Sequence, residues 1–457
     1  MPIKPNVSKL TASTPEILNT IRANASANYA STVPYADGST RNLRAIGEAI
    51  MAYQPNQNEF LNALVSRIGR VILTSRMYSN PWAMFKKGML EYGEAVEEIF
   101  VNIAKPFTFD PEVAETNVFK REIPDVRAAF HVLNYQKFYK STVSNDQLRQ
   151  AFLSMDGITE LIAGIVDAMY KAANYDEFLT MKYMLARNIL DGNLYPAQTS
   201  ELSADNAATI ATDIKAISNN LEFLSGTYNK AGVANATAKD DQFLILSSKA
   251  DSTIAVNVLA TSFNMSQAEF MGHRVLINSF ALSDYETARL GELFAGDPAY
   301  DEIGSDDNKL LDAIPGVIVS RDWFMVFDNF FNFTENYNGE GLYWQYFYHT
   351  WKTFSVSPFA NAALLTPGAP SITSVSVNPS TANAGKGTAL QLTANVATTN
   401  FAPKGVVWSS NSEFTTVSAN GLVQVGANET NSSVTITATS LYDSSKSGTC
   451  VITVTQA

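Results

Sequence analysis

Residues Asn80–Ser144 read NPWAMFKKGMLEYGEAVEEIFVNIAKPFTFDPEVAETNVFKREIPDVRAAFHVLNYQKFYKSTVS. Proline, glycine and aromatic residues interrupt this stretch too often for one long helix. Its charges alternate in small blocks along strand-like pieces. A hairpin so polar has little core to bury by itself, so the pattern predicts a long extended arm with partners outside itself.

The sequence on either side has a different character. Over Asn145–Asp191 the pattern turns helical, with Ile158, Leu161, Ile162, Ile165 and Met169 on one stripe. Phe178, Met181, Leu185 and Ile189 continue a second, and Gly192 is a natural stop. Before the arm, Pro15–Asn24 and Asn58–Ser75 read as helices, the second carrying Phe60, Leu61, Leu64, Ile68 and Val71 on one face. After it come a helix-like 202–225, a strand at Phe243–Leu246 and a helix at Ile254–Phe263. Strands at Arg274–Asn278 and Val317–Val319 follow. WFMVFDNFFNF (323–333) and GLYWQYFYHTWKTFSVSPFANAALL (341–365) are densely aromatic, and Trp344–Phe354 is expected to be core.

The composition changes at LLTPGAPSITS (364–374). From Ser371 to Ala457, 29 of 87 residues are Ser or Thr and six are charged, and every Met and His lies earlier in the chain. Period-2 pieces recur at Ile372, Ser374–Val377, Leu390–Val396, Val406–Trp408, Thr415–Val417, Leu422–Val425, Val434–Ala438 and Cys450–Val454, separated by turn clusters. That spacing is the arithmetic of a small Greek-key sandwich. VSVNPSTANAGKGTALQLTANV, VVWSSNSEFTTVSANGLVQV, VTITATS and VITV make this tail resemble the bacterial immunoglobulin-like group 2 domain. Trp408 is expected to plug the space between sheets, and Cys450 to be buried and inert.

A length of 457 residues suggests two to four domains, and a hydrophobic fraction of 46% excludes general disorder. The net charge of −12 argues against a surface that coats nucleic acid, though not against enclosing DNA. One cysteine rules out an intrachain disulfide and a thiolate-rich zinc site. No apolar run reaches bilayer length, and the N-terminal residues lack the apolar core of a signal peptide. Phosphate-loop, dinucleotide, metalloprotease and serine-hydrolase motifs are all absent. His131, His273 and His349 are scattered, each read as a surface or core-edge residue. The acidic run GDPAYDEIGSDDNKLLD, with Asp297, Asp301, Glu302, Asp306, Asp307 and Asp312, reads as a solvated loop rather than a cation site. No catalytic residue, cofactor or metal ligand is expected.

FKKG…EEIF…VFKREIPDV…FH (85–131), VLATSFNMSQAEFMG (258–272), SRDWFMVFDN (320–329) and GLYWQYFYHTWKTFSVSPFANA (341–362) together resemble the major capsid protein of small short-tailed phages of the phi-twenty-nine group. The resemblance implies an α+β capsid-shell fold, that of Hong Kong phage ninety-seven, with an N-terminal arm, an extended loop, a spine-helix peripheral domain and an axial domain. The coat domain would span 1–366, with the extended loop at 80–144, the spine helix within 145–191 and the axial domain at about 192–345. The all-β immunoglobulin-like sandwich would follow at 371–457.

The implied function is structural. Many copies would close an icosahedral or elongated head around double-stranded DNA without sequence-specific binding. Implied partners are a portal and a scaffolding protein, with weak host-surface glycan contact through an outward immunoglobulin-like domain and no membrane. Its place would be the virion, assembled in the host bacterial cytoplasm. Candidate intersubunit contacts are Lys86, Lys87, Glu97, Glu98, Lys120 and Arg121. Exposed pairs of this kind set register more than strength, at about 0–1 kcal/mol each. An encapsulin-type nanocompartment is the alternative, and a surface adhesin a more distant one. An enzyme with an accessory immunoglobulin-like domain fits least.

Overall fold

The computed structural model describes residues 14–60, 63, 79–91, 95–110, 121–144, 152, 157–261 and 273–455. They form two compact units. One draws on the chain up to Ala95, on Val132–Thr180 and on Val326–Phe354; the other on Val96–His131, Met181–Met325 and Ser355 onward.

The first unit sets helices on a sheet. Strands β1 (Lys86–Met89), β4 (Tyr135–Ser144), β9 (Phe324–Asn338) and β10 (Tyr343–Val356) lie in the order β1-β9-β10-β4. β1 runs parallel to β9, and β10 runs antiparallel to β4 from Tyr343 opposite Ser144 to Lys352 opposite Tyr135. Helices α1 (Thr14–Asn24), α2 (Ala27–Thr32) and α3 (Thr40–Met51) supply the other wall, followed by a helical segment over 54–60. α1 buries Ile17, Leu18 and Ile21, and α3 buries Leu43, Ile46 and Ile50, the spacing of one helical face. Their partners include Val143, Met169, Trp344 and Tyr346.

α3 escapes a periodicity reading because Gly47 falls inside its stripe. The reason lies in packing: a Cβ there would come within 2.8 Å of the Phe152 side chain. Most of the helix expected over 58–75 lies outside the described residues.

Trp344–Phe354 is core mainly on one face. Trp344, Tyr346, Thr350, Lys352 and Phe354 are buried there and Tyr348 is half-buried, while on the other face Gln345, Phe347, His349 and Trp351 are half-buried and Thr353 is buried. A strand turns alternate residues to opposite faces, so a continuous aromatic run cannot bury them all equally.

Helix α4 (Gly157–Leu190) is 34 residues long and ends as the sequence predicts. Gly192 takes a positive φ of 69°, and Asn193 N donates to Asn188 O at 3.0 Å, closing the last turn.

The second unit is built on a five-stranded sheet in the order β5-β11-β8-β6-β7. These strands are β5 (Tyr195–Thr199), β6 (Gln242–Ser247), β7 (Arg274–Ile277), β8 (Gly316–Ser320) and β11 (Ala362–Pro367). All of β8 is buried, which is why it reads as the unbroken apolar run Val317–Val319 rather than as an alternation. Helices α5 (Ala207–Asn220) and α6 (Ser248–Thr261) cover it through Ile210, Ile214, Ala250 and Ile254.

Two helices of this unit lie where the sequence pattern predicts none: α7 (Asp284–Leu293) and α8 (Ser305–Asp312). α7 opens with a capping box formed by Ser283 and Glu286. α8 falls within the acidic run, whose composition predicts a loop. Asp301 pairs with Arg187 at 2.6 Å and Asp306 with Lys309 at 2.7 Å. Among the described residues no group of three His, Cys, Asp or Glu could hold a metal ion, and no helix is long and apolar enough to cross a membrane.

The tail is an all-β immunoglobulin-like region. β12 (Ser371–Asn378) pairs with β15 (Thr393–Thr399). β13 (Thr381–Gly385), β20 (Ser447–Thr455), β19 (Ser433–Ser440) and β16 (Val406–Ser410) form a second sheet in that order. β14 (Ala389–Gln391), β18 (Leu422–Gln424) and β17 (Thr416–Val417) form a third. β13 was not foreseen, because TANAG lacks large apolar residues. It is a strand because it lies parallel to β20 from Thr381 opposite Val451 to Gly385 opposite Thr455. Cys450 is fully buried among Ile436, Val434 and Ile452, and burial pushes its thiol up. Trp408 is half-buried and packs on that core from its edge.

Candidate assembly surface

The second unit also carries a two-stranded hairpin, β2 (Val96–Val101) and β3 (Val126–His131). Val96 lies opposite His131, Glu98 opposite Ala129 and Phe100 opposite Arg127, so these six side chains share one face. That face is tied down. His131 Nε2 lies 3.2 Å from Glu98 Oε2 and its Nδ1 2.7 Å from Ser355 Oγ. Ser357 Oγ donates to Glu98 Oε1 at 2.7 Å, and the Phe100 ring stacks on Phe359 at 5.6 Å. His131, scattered in the sequence, is thus a buried clamp at the foot of the hairpin.

The other face is made of Glu97 and Phe130, Ile99 and Ala128, Val101 and Val126. Five of these six are apolar, and Ile99, Val101, Val126 and Phe130 are respectively 59%, 60%, 52% and 66% exposed. Beyond the hairpin Ile103, Phe107, Phe109 and Ile123 are exposed as well. A monomer rarely leaves so many large apolar side chains together in water. The arm expected to be polar therefore has one mixed, anchored face and one largely apolar, uncovered face. VEEIFV places one glutamate and two apolar residues on each face, so its pattern does not mark which face is uncovered.

The ends of the expected arm belong elsewhere. Trp82, Phe85 and Tyr135 are buried in the first unit, where Trp82 packs edge-on against Phe178 at 5.3 Å and Tyr135 against Phe354 at 5.2 Å. Those aromatic contacts bind β1 and β4 into the sheet of the first unit, whereas Val96–His131 belongs to the second.

The five described residues among the six sequence-nominated ones are not brought together. Lys86 Nζ sits 2.6 Å from Asp328 and 3.0 Å from Glu177, inside its own unit. Lys352 bridges the same two carboxylates, at 2.6 Å to Asp328 and closer still to Glu177. Asn80 Nδ2 donates to Glu177 at 2.7 Å. Burial opposes ionisation of both carboxyls, but Lys352 and Lys86 outweigh it and hold both below the usual range. Lys86 is thereby committed internally and Glu98 to the hairpin foot. Lys87 is half-buried; Glu97 and Arg121 are exposed; Lys120 lies outside the described residues.

Comparison with known proteins decides the family. The model for the Phi29-like phage major capsid protein matches residues 18–366. The chain belongs to that family. A bacterial Ig-like domain of group 2 matches residues 371–451. The chain is 35% identical to the major capsid protein of Bacillus phage B103 over 425 residues, 91% of this chain and 88% of that one. It is 32% identical to the major capsid protein of Bacillus phage PZA over 423 residues, with the same coverage of 91% and 88%. The capsid structure of Staphylococcus phage Andhra aligns with a TM-score of 0.49 at 16% identity, covering 65% of this chain and 86% of that one. This Phi29-like major capsid protein is a structural component of a tailed-phage virion, assembling in many copies into the shell, and the family is not an enzyme family.

Proposed function

We propose that the outward face of the β2–β3 hairpin is the surface by which one copy lies on the next in the shell. The observation that supports this is the row Ile99, Val101, Val126 and Phe130, apolar and uncovered in the single chain. Covering such a row with another copy would remove its surface from water at about 25 cal/mol per Å². Glu97, opposite Phe130 on the same face, would set register. In the terms of the capsid fold, residues 96–131 are the extended loop's projecting part, α4 is the spine helix, and the five-stranded sheet with α5 and α6 belongs to the axial domain.

The remaining roles extend the same reading. Assembly takes place in the host cytoplasm with a scaffolding protein, and one vertex receives a portal. A net charge of −12 suits a wall that repels packaged double-stranded DNA rather than gripping it. The immunoglobulin-like domain points outward, where many copies raise the avidity of weak glycan contacts.

Changing Ile99 and Phe130 together to Glu tests the central point. The double variant should fold with the melting temperature of the unassembled parent and form no shells under electron microscopy. Normal particles from it would overturn the assignment.

A further inference from the structure

In the first unit, β9 and β10 turn an aromatic row toward the helices: Phe333, Tyr337, Trp344 and Tyr346. Glu335 stands on that face of β9, between Phe333 and Tyr337. It has no ion-pair partner among the described residues. One of its carboxylate oxygens is buried without a hydrogen bond, and so are the Trp344 indole nitrogen and the Tyr346 hydroxyl. Beside them opens a cavity of 390 Å³, lined by Gln54, Asn58, Glu335, Asn336, Tyr337 and Trp344. Burial pushes the Glu335 carboxyl up to about 7. Buried polar groups are nearly always paired, so these orphans, two of them on residues that line the cavity, call for an occupant.

The chemistry of the three narrows what fits. Glu335 asks for a positive charge. The rings of Tyr337 and Trp344, 5.0 Å apart, offer π faces that attract a cation. The indole N–H can only donate, so it asks for an acceptor oxygen. A single carboxylate with a few amides is too poor a set for a hard metal ion, which takes six to eight oxygens, and an anion is repelled. A simple polyamine carries charge but no acceptor oxygen. A basic side chain on a polypeptide supplies both, the cation and a nearby carbonyl.

We propose that this pocket takes a lysine or arginine side chain together with a backbone carbonyl of the same segment, contributed by a second copy of the chain. The pocket's chemistry stands by itself; the source of the side chain rests on assembly into a shell of many copies. Glu335 then ionises against the cation, and the contact forms only between copies, adding charge specificity to the apolar hairpin surface.

The test uses the full-length unassembled protein and four probes: N-acetyl-arginine amide, N-acetyl-lysine amide, uncharged N-acetyl-norleucine amide, and spermidine. The two basic amides should raise the melting temperature and shift tryptophan fluorescence, spermidine less, and the norleucine amide not at all. Charge-assisted hydrogen bonds of this kind correspond to about 10- to 100-fold in affinity, the loss expected for Glu335→Gln. Equal responses in parent and variant, or none in either, would overturn the pocket's chemistry. In assembly, Glu335→Gln should lower shell yield while the free chain melts no lower than the parent. Full shell yield from the variant would overturn a second copy as the source. A parent that formed no shells would count against the assembly reading, and the probe results would be unaffected.

Discussion

Lys352 lies between Glu177 and Asp328 with Lys86 opposite, two cations and two carboxylates of which Glu177 and Lys352 are buried and Lys86 and Asp328 half-buried. Burial pulls the Lys352 ammonium down, but the two carboxylates outweigh it and push it up. Removing one member of such a set leaves buried charge unanswered, at a cost of about 3–5 kcal/mol. Lys352→Met should therefore destabilise the free chain by about that much in denaturant unfolding. A loss near zero would mean that water already reaches the cluster. Glu429 is a second residue that sequence patterns do not reveal. Its carboxylate accepts from Ser412 Oγ and Thr415 Oγ1, each at 2.6 Å, and from the backbone N–H groups of Thr430 and Asn431. Those bonds hold its carboxyl at about 2. A depressed carboxylate stabilises above its unfolded value near 4.5, and that contribution drains away as pH falls toward 2. Melting of the immunoglobulin-like domain should thus fall across this window, and Glu429→Gln should flatten the dependence. An unchanged slope in the variant would remove Glu429 from the account.

At the scale of elements, the hairpin is held at its foot by Glu98 and His131 rather than by a core of its own. Glu98→Ala removes the acceptor of Ser357 and the partner of His131. Amide exchange should then quicken over 96–101 and 126–131 while the five-stranded sheet keeps its protection. Unaltered exchange at the hairpin would show that Phe100 on Phe359 suffices. Legibility in the sequence follows from how local each element's cause is. β8 and the stop of α4 were readable because an apolar run and a glycine carry them. So were most strands of the tail, but Leu390–Val396 reads as one piece where β14 and β15 join different sheets, and the small residues of β13 owe their conformation to pairing with β20. α3 and the opposite natures of the hairpin's two faces depend on what packs against them. The ion cluster joins residues up to 266 apart in the chain, Lys86 to Lys352, and no local pattern marks it.

For the whole molecule, the decisive arrangement is a coat chain ending in a module that closes its own core. Val423, Val425, Val434, Ile436, Cys450 and Ile452 are all fully buried within that module. Three residues, Gly368 to Pro370, separate β11 from β12, and Gly368 needs its positive φ of 103° to make the turn. The module does touch its neighbour in the second unit: Lys404 Nζ donates to Leu190 O at 2.8 Å, and the backbone of Ala402 lies against Gly192. A single exposed bond of this kind contributes about 1 kcal/mol. Ending the chain after Ala369 should therefore leave a coat that folds, melts slightly earlier and still closes into shells of the parent's diameter. Because a sandwich hung inward would compete with DNA for volume, the density lost on truncation should lie on the outer surface in electron cryomicroscopy difference maps. Truncated chains that fail to close, or density lost from the inner wall, would reverse the placement and make the module part of the shell's construction.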